Sequence, residues 1–158
     1  MFNYKDLRSQ EKDLKVSHVD YSTFLQISDE LAAYRASRLV DIETFNSYSE
    51  DANTIILDTR SKRAFDEIHV KDAVHLNFSD FTKQALAEKI PNKNTRILIY
   101  CNNNFESPRK VLMNKMRPLA LNIPTFINLY GYGYENIYEL KDYLNEEDER
   151  VFFETKKD

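Results

Sequence analysis

The pattern of apolar and polar positions along the chain changes near residue 54. Before that point, apolar residues recur three and four positions apart from Phe24 to Tyr34, which predicts an amphipathic helix with Ser22 as its N-cap. Asp41 is placed to cap a second helix. The first 20 residues are polar and weakly periodic, which indicates an arm or a short helix. The predicted segments are a helical extension at 1–37, a main domain at 38–145 and a tail at 146–158.

From residue 54 onward, short apolar runs alternate with segments of helical spacing. The runs Thr54–Asp58 and Arg96–Tyr100 are typical of strands buried on both faces of a sheet. Further strands are predicted at 38–40, 73–76 and 125–129, and helices at 61–67, 79–89, from 107 onward and 135–144. This alternation indicates an α/β fold with an open parallel sheet covered by helices on both faces. The tail at 150–154 either adds an edge strand or packs across the surface.

Length and charge narrow the class of protein. With 158 residues, the chain suits one domain, and its net charge of −4 argues against a nucleic-acid binder, which needs clustered lysines and arginines. No apolar run approaches the roughly 20 residues that span a bilayer, so no membrane partner is expected. The N-terminus lacks the apolar stretch of a secretion signal, which favours the cytoplasm, although a removed leader would leave the same sequence. The oligomeric state is not predicted.

Glycine is scarce, and this excludes one class of site. Only Gly131 and Gly133 occur, where average usage of about 7% would give roughly eleven. Phosphate cradles of the P-loop and dinucleotide-binding types need several glycines in one loop. Any anion site in this chain is therefore built from other residues.

The single cysteine, Cys101, directly follows the predicted strand 96–100. In an open parallel sheet, ligands bind outside the carboxyl ends of the strands. Ser107 and Pro108 are suited to begin a helix, so the loop amides and the helix dipole are expected to face the sulfur and favour the thiolate. The alternative is that Cys101 is a small buried apolar side chain, the commoner role of a lone cysteine.

The chain resembles a rhodanese-like domain from about residue 38 to residue 144. Three motifs in order carry the resemblance: Ile55–Arg60, Ile68–Leu76 preceded by Phe65, and Ile97–Cys101. A closing segment, Phe126–Tyr132, is similar to the family's last strand and its glycine-containing turn. The resemblance implies a five-stranded parallel sheet with helices on both sides. It also implies a sulfurtransferase in which cysteine accepts a sulfane sulfur as a persulfide and passes it to a thiophilic acceptor.

The resemblance also assigns roles to individual residues. Cys101 would be the sulfur carrier, with Asp58 and Arg60 supporting its loop from the sheet edge. The backbone amides of Asn102, Asn103, Asn104, Phe105, Glu106 and Ser107 would cradle the persulfide. The implied partners are a small-molecule sulfur donor and a thiol or protein acceptor, with no cofactor. We expect His69 and His75 to be hydrogen-bonded histidines, because no close His/Cys spacing of a metal site is present.

Charge at the loop refines the expected activity. Glu106 stands where arginine is common in the family, and Arg109 is the first cation after the loop. A carboxylate facing the sulfur would repel a dianionic donor, so the sequence predicts poor thiosulfate activity and a preference for a less charged persulfide. Ser107 replaces the arginine of the Cys-x5-Arg phosphatase loop, which disfavours ester hydrolysis. The main alternative to an enzyme is a binding or sensing module with this fold.

Overall fold

The computed structural model describes residues 17–156, in which six α-helices accompany nine short strands. The helices are α1 (Tyr21–Glu30), α2 (Ala32–Ala36), α3 (Ile42–Ser49), α4 (Lys62–Glu67), α5 (Lys83–Lys89) and α6 (Asn122–Gly131). The strands are β1 (Leu39–Val40), β2 (Thr54–Asp58), β3 (Ile68–Val70), β4 (Val74–His75), β5 (Arg96–Tyr100), β6 (Phe105–Glu106), β7 (Ile137–Leu140), β8 (Leu144–Asn145) and β9 (Phe153–Thr155). Among these residues, no helix has the length and apolar character needed to cross a membrane. The first 16 residues of the predicted 20-residue arm lie outside the described residues.

A five-stranded parallel sheet, in the order β1-β7-β5-β2-β4, forms the centre of the fold and confirms the predicted class. Its middle strand, β5, pairs along its whole length with β2, and its next neighbour is β7. Consecutive side chains of a strand point to opposite faces. Leu98 and Tyr100 therefore enter one core with α3, while Ile97 and Ile99 enter a second core with α5 and α6. Helices cover both faces, as predicted.

Short polar side chains cap the N-termini of several helices. The Asp41 carboxylate accepts a hydrogen bond from the Thr44 amide at 2.8 Å, which confirms its predicted capping role. The first helix begins earlier than predicted, because Asp20 and not Ser22 accepts from the Thr23 amide. The predicted helix at 79–89 is shorter: a 3₁₀ turn at Phe78–Asp80 precedes α5, which Thr82 caps.

The last third of the main domain differs from the sequence prediction. Residues 125–129, predicted as a strand, lie in α6, where Phe126 and Leu129 are fully buried and Ile127 is nearly so. A helix buried on most of its surface shows no polar face, and its sequence then looks like a buried strand. Conversely, the predicted helix at 135–144 contains β7, whose buried Glu139 interrupts the apolar pattern of a strand.

Two outer strand pairs complete the fold. The tail strand β9 pairs antiparallel with β3, away from the central sheet, so the tail forms an edge pair of its own. Strand β6 pairs with β8, joining Phe105 to Leu144 and Glu106 to Asn145. The helix predicted from Ser107 is absent from this part of the chain. Two 3₁₀ turns follow, at Lys110–Leu112 and Arg117–Leu119, and the Ser107 hydroxyl accepts from the Arg109 amide at 3.0 Å.

Candidate active site

Cys101 lies at the carboxyl end of the middle strand, at the base of a cavity of about 540 Å³. The side chain is only 2% exposed, yet it belongs to the cavity wall. Asn102 and Asn103 line the cavity beside it, and Leu121 lines it from the start of α6. The position at a strand end is the one that the sequence predicted. A small ligand in the cavity would lie beside Cys101.

Backbone amides from two segments of the chain lower the pKa of the Cys101 thiol. One comes from Asn103 in the loop, and two come from Leu121 and Asn122 at the N-terminus of α6. Amides and a helix N-terminus stabilise negative charge, and the helix next to Cys101 is α6, not the predicted helix from Ser107. The cradle is therefore built from residues distant in sequence.

The pKa of the Cys101 thiol is raised above its ordinary value of 9.0, contrary to the sequence expectation. Burial is the main cause, because a thiolate loses solvation when water is excluded. The amides of Asn103 and Asn122 oppose the rise, and the carboxylate of Glu139 adds to it. The free protein consequently holds Cys101 mainly as the neutral thiol at neutral pH.

Glu139 shares a sheet face with Cys101 and forms a buried ion pair. It is the register partner of Ile99, and Cys101 follows two residues later, so the three side chains point the same way. Arg35 of α2 donates to this carboxylate through Nε at 2.8 Å and also through Nη2. Burial raises the pKa of Glu139, and the hydrogen bonds from Arg35 oppose that rise. An anion thus lies on the same sheet face as the sulfur and does not line the cavity.

Asn104 fixes the start of the loop by side-chain hydrogen bonds. Its Oδ1 accepts from the Cys101 amide at 2.9 Å and from Nδ2 of Asn122 at 3.0 Å. Its Nδ2 donates to the carbonyls of Leu140 and Asp142 at 2.8 and 3.0 Å. The side chain is buried and ties the cysteine to the end of β7 and to α6. Its role here is to hold the loop.

The other two asparagines of the run bind the segment at residues 112–115. Asn102 donates to the Met113 carbonyl at 3.2 Å, and Asn103 exchanges two hydrogen bonds with the Lys115 backbone at 2.8 and 2.9 Å. The Asn114 side chain donates a hydrogen bond to the Asn102 carbonyl at 2.6 Å. In residues 17–156, only Asp72 and Gly133 have positive φ, so none of the three asparagines adopts the left-handed conformation. The role of these side chains here is to form hydrogen bonds with the segment that follows the loop.

Asp58 and Arg60 form a buried network that supports the cavity, as the resemblance implied. Arg60 Nη2 donates to Asp58 at 2.7 Å and to the Ile68 carbonyl at 2.5 Å, and Nη1 reaches Oδ1 of Asn102 at 3.3 Å. The Tyr100 hydroxyl donates to the same carboxylate and accepts from the Val70 amide at 3.0 Å. Burial raises the pKa of Tyr100 well above its ordinary value, so it remains a donor.

The charges that line the cavity are positive. Arg60, Arg63, Lys110 and Lys115 belong to its wall, and no Asp or Glu of the described chain does. Glu106 is exposed and held by the β6–β8 pair, so it does not line the cavity. The premise of the predicted low thiosulfate activity, a carboxylate facing the sulfur, is therefore wrong.

The predicted site residues separate into three groups. Cys101, Asn102, Asn103 and Arg60 line the cavity. Asp58 and Asn104 hold these residues by hydrogen bonds, to Arg60 and to the Cys101 amide. The other four contribute nothing to its wall: Phe105, Glu106, Ser107 and Arg109. Phe105 lies in the hydrophobic core. The Ser107 hydroxyl donates to the Glu146 carboxylate at 2.5 Å, and the Arg109 guanidinium lies 3.3 Å from the same carboxylate.

Sequence reasoning missed three cations of the cavity: Arg63, Lys110 and Lys115. A signal for two of them is present in the sequence, because residues 107–134 contain no Asp or Glu. The histidines behave as predicted. His69 Nδ1 lies 2.7 Å from the Phe65 carbonyl oxygen, and His75 Nε2 lies 2.8 Å from the Arg60 carbonyl oxygen.

Solved structures to which this chain is similar come from several bacteria. A protein from Bacillus halodurans has a TM-score of 0.48 and 16% identity, covering 72% of this chain and 72% of its own. A protein from Anabaena sp. has a TM-score of 0.47 and 18% identity, covering 65% and 69%. A thiosulfate sulfurtransferase from Pseudomonas aeruginosa has a TM-score of 0.48 and 16% identity, covering 73% of this chain and 19% of its own.

A family profile gives the direct assignment. No curated protein matches the chain. The profile of the rhodanese-like domain matches residues 41–146, which include the whole central sheet except β1 and all of the Cys101 loop. The protein belongs to the rhodanese-like domain family.

Proposed function

We propose that the protein is a sulfurtransferase that carries a sulfane sulfur as a persulfide on Cys101. One observation carries this proposal: the only cysteine lies in the wall of a cavity that four cationic side chains also line, and backbone amides from two segments lower the pKa of its thiol. Membership of the rhodanese-like family supports the same reaction class. The amides of Asn103, Leu121 and Asn122 would hold the outer sulfur, which carries the negative charge of the persulfide.

The reaction balances in two displacements. The Cys101 thiol first loses its proton to water, and the thiolate attacks the outer sulfur of the donor. A new sulfur–sulfur bond forms, the bond within the donor breaks, and its electron pair leaves with the remainder, which is sulfite when the donor is thiosulfate. An acceptor thiolate then attacks the outer sulfur of the persulfide, and Cys101 leaves as the thiolate. No external oxidant or reductant is consumed.

The raised pKa of Cys101 gives the cations a defined task. Desolvation disfavours the thiolate in the empty cavity, so the proton must be lost against a free-energy cost. Lys110, Lys115 and Arg63 would stabilise both an anionic donor and the charge that passes to its leaving group. We therefore propose an anionic donor class, with thiosulfate as its simplest member, in place of the less charged persulfide donor that Glu106 suggested.

Intact mass spectrometry tests the proposal. The protein is incubated with thiosulfate, or with a persulfide of low charge, and desalted without reductant. We expect a gain of one sulfur atom that dithiothreitol removes, and no gain in Cys101→Ser. The absence of any adduct with either donor would refute the proposed function.

Cation variants test the choice of donor. Lys110→Gln and Lys115→Gln are expected to slow sulfur loading from thiosulfate more than loading from the low-charge persulfide, because each removes a charge from the cavity wall. Lys89→Gln is the matched control, since Lys89 is exposed at the end of α5, toward the opposite edge of the sheet. Equal slowing of both donors would contradict the proposed anionic donor class.

A binding or sensing module remains the second candidate, and one observation favours it. The thiol is 2% exposed and its pKa is raised, which are properties of an unreactive cysteine. Such a module would bind an anion in the cationic cavity without forming a covalent adduct. The mass measurement separates the two candidates, because only the enzyme gains sulfur.

A further inference from the structure

The segment that follows the cysteine loop has a charge unlike the rest of the chain. Residues 107–134 contain four cations and no Asp or Glu, in a protein whose net charge is −4. Arg109 is balanced by Glu146 at 3.3 Å. Lys110, Lys115 and Arg117 form no ion pair with any residue in the range 17–156. Three uncompensated positive charges thus lie on one short stretch.

Large apolar side chains are interleaved with these charges and exposed to solvent. Met113 is 66% exposed, Met116 is 73% exposed and Leu119 is 64% exposed. None of the three lines the cavity, so a small sulfur donor bound there would not cover them. Exposed apolar side chains that cluster within a few residues are typical of interaction sites, and methionine adapts to varied partner surfaces.

Hydrogen bonds hold this stretch in place at the mouth of the cavity. The Asn114 side chain donates to the carbonyls of Asn102 and Phe105 at 2.6 and 2.9 Å, and Asn103 binds both backbone groups of Lys115. Lys110 and Lys115 also line the cavity. The surface is therefore preformed and continuous with the site, which reduces the ordering cost of docking.

We propose that this surface docks an acidic protein that exchanges sulfur with Cys101. Its residues, which we call the Met–Lys rim, are Lys110, Met113, Lys115, Met116, Arg117 and Leu119. The proposal rests on the proposed sulfurtransferase function and specifies its macromolecular partner. The partner presents a thiol at the cavity mouth, beside an apolar side chain and carboxylates. Its thiolate attacks the outer sulfur of the Cys101 persulfide, the sulfur–sulfur bond at Cys101 breaks, and Cys101 departs as the thiolate.

The structure favours this occupant over a membrane or a second copy. The Met–Lys rim consists of turns, including the 3₁₀ turn Arg117–Leu119, and lacks the amphipathic helix that usually lies on a lipid surface. A second copy would have to supply carboxylates, and its acidic segment is at residues 146–149. Two of these carboxylates already form ion pairs, because Glu146 contacts Arg109 and Asp148 contacts Arg150 at 2.8 Å. Charge complementarity then selects an acidic protein.

Binding is tested with two labelled peptides on the intact chain. The first has one cysteine flanked by glutamates and a leucine, and its twin has every glutamate replaced by lysine. Fluorescence anisotropy is expected to show binding of the acidic peptide only, about tenfold tighter at low salt than at physiological salt. This measurement requires no persulfide, so failure of the surface is distinguishable from failure of the proposed function. Equal binding of both peptides would overturn the proposal.

Transfer kinetics provide the functional readout. After loading with sulfur, Arg117→Glu and Met116→Ser are expected to slow transfer to the acidic peptide about tenfold. Transfer to dithiothreitol should be unchanged, because neither residue lines the cavity. Lys89→Glu is the matched charge control. Unchanged transfer to the acidic peptide in both rim variants would overturn the proposal.

Two further measurements examine the rival occupants. Sedimentation of the free protein would overturn the proposal if it showed a dimer that Arg117→Glu dissociates. Flotation with vesicles containing phosphatidylserine would overturn it if binding to the vesicles required Met116 and exceeded binding to the acidic peptide. We expect a monomer under these conditions and no flotation.

Discussion

Two buried arginine–carboxylate pairs flank Cys101, and they differ in what each can do when it is disturbed. In the pair Asp58–Arg60 the arginine lines the cavity, and the side chains are 0% and 4% exposed. The pair Arg35–Glu139 lies on the sheet face of Cys101, and its arginine is 31% exposed. Asp58 also accepts from Tyr100, whereas Arg35 is the side chain that donates to Glu139.

The difference concerns which charge can be neutralised. Arginine remains protonated even when buried, so Arg60 cannot escape the loss of its partner by releasing a proton. Glu139 can bind a proton, and burial already raises its pKa. The first pair is therefore a permanent structural support. The second is titratable and lies on the same sheet face as the thiol, where it can influence reactivity.

The largest expected effect follows from breaking the first pair. Asp58→Asn would leave the Arg60 charge buried without its anion and would weaken the bond from Tyr100. We expect a loss of about 3–5 kcal/mol in the free energy of unfolding, measured by urea denaturation. Asp51→Asn is the matched control, because the Asp51–Arg96 contact is long at 3.5 Å and exposed, and is worth less than about 1 kcal/mol. Equal losses would show that Asp58–Arg60 is not a structural support.

The second pair is expected to act on Cys101 with opposite signs. Glu139→Gln removes an anion that raises the pKa of the Cys101 thiol, so the pKa should fall and alkylation below pH 9.0 should become faster. At a pH where Glu139 stays ionised, Arg35→Gln leaves its charge uncompensated, so the Cys101 pKa should rise and alkylation should slow. The measurement is the rate of alkylation by iodoacetamide as a function of pH.

The opposite signs separate an electrostatic role from a folding defect. Loosening of the structure would expose the thiol in both variants and speed alkylation in both. Glu135→Gln is the control, because Glu135 is exposed beside β7 and precedes Glu139 by four residues. A shift in the same direction for Glu139→Gln and Arg35→Gln would refute the electrostatic role.

The central sheet was predictable where a strand carries a continuous apolar run. Thr54–Asp58 and Arg96–Tyr100 pair along their whole length as expected, and Cys101 follows at the carboxyl edge. The prediction from the apolar pattern was wrong where a polar side chain is buried and where a helix has no polar face. Glu139 is buried because Arg35 reaches it from α2, a contact that spans about a hundred residues and leaves no local signal. The middle of helix α6 was wrongly predicted as a strand for the converse reason, since it has no polar face.

The site was predictable in position but not in charge. The direction of Glu106 depends on the pairing of β6 with β8, two strands of two residues each, whose partners lie 39 residues apart. Lys115 reaches the cavity because Asn103 binds its backbone, and side-chain hydrogen bonds of this kind have no sequence periodicity. The asparagine run was visible in the sequence. Its function became clear only with the partners in place.

The smallest effect is expected at Arg109, the cation that sequence reasoning placed nearest the loop. Its contact with Glu146 spans 3.3 Å and its side chain is 41% exposed, so solvent screens the pair. Arg109→Gln should change the free energy of unfolding by less than about 1 kcal/mol, measured by urea denaturation. Because Arg109 does not line the cavity, loading of Cys101 from thiosulfate should also be unchanged. Loading slowed as much as in Lys115→Gln would show that Arg109 enters the cavity in solution, and the division between cavity cations and surface cations would then be wrong.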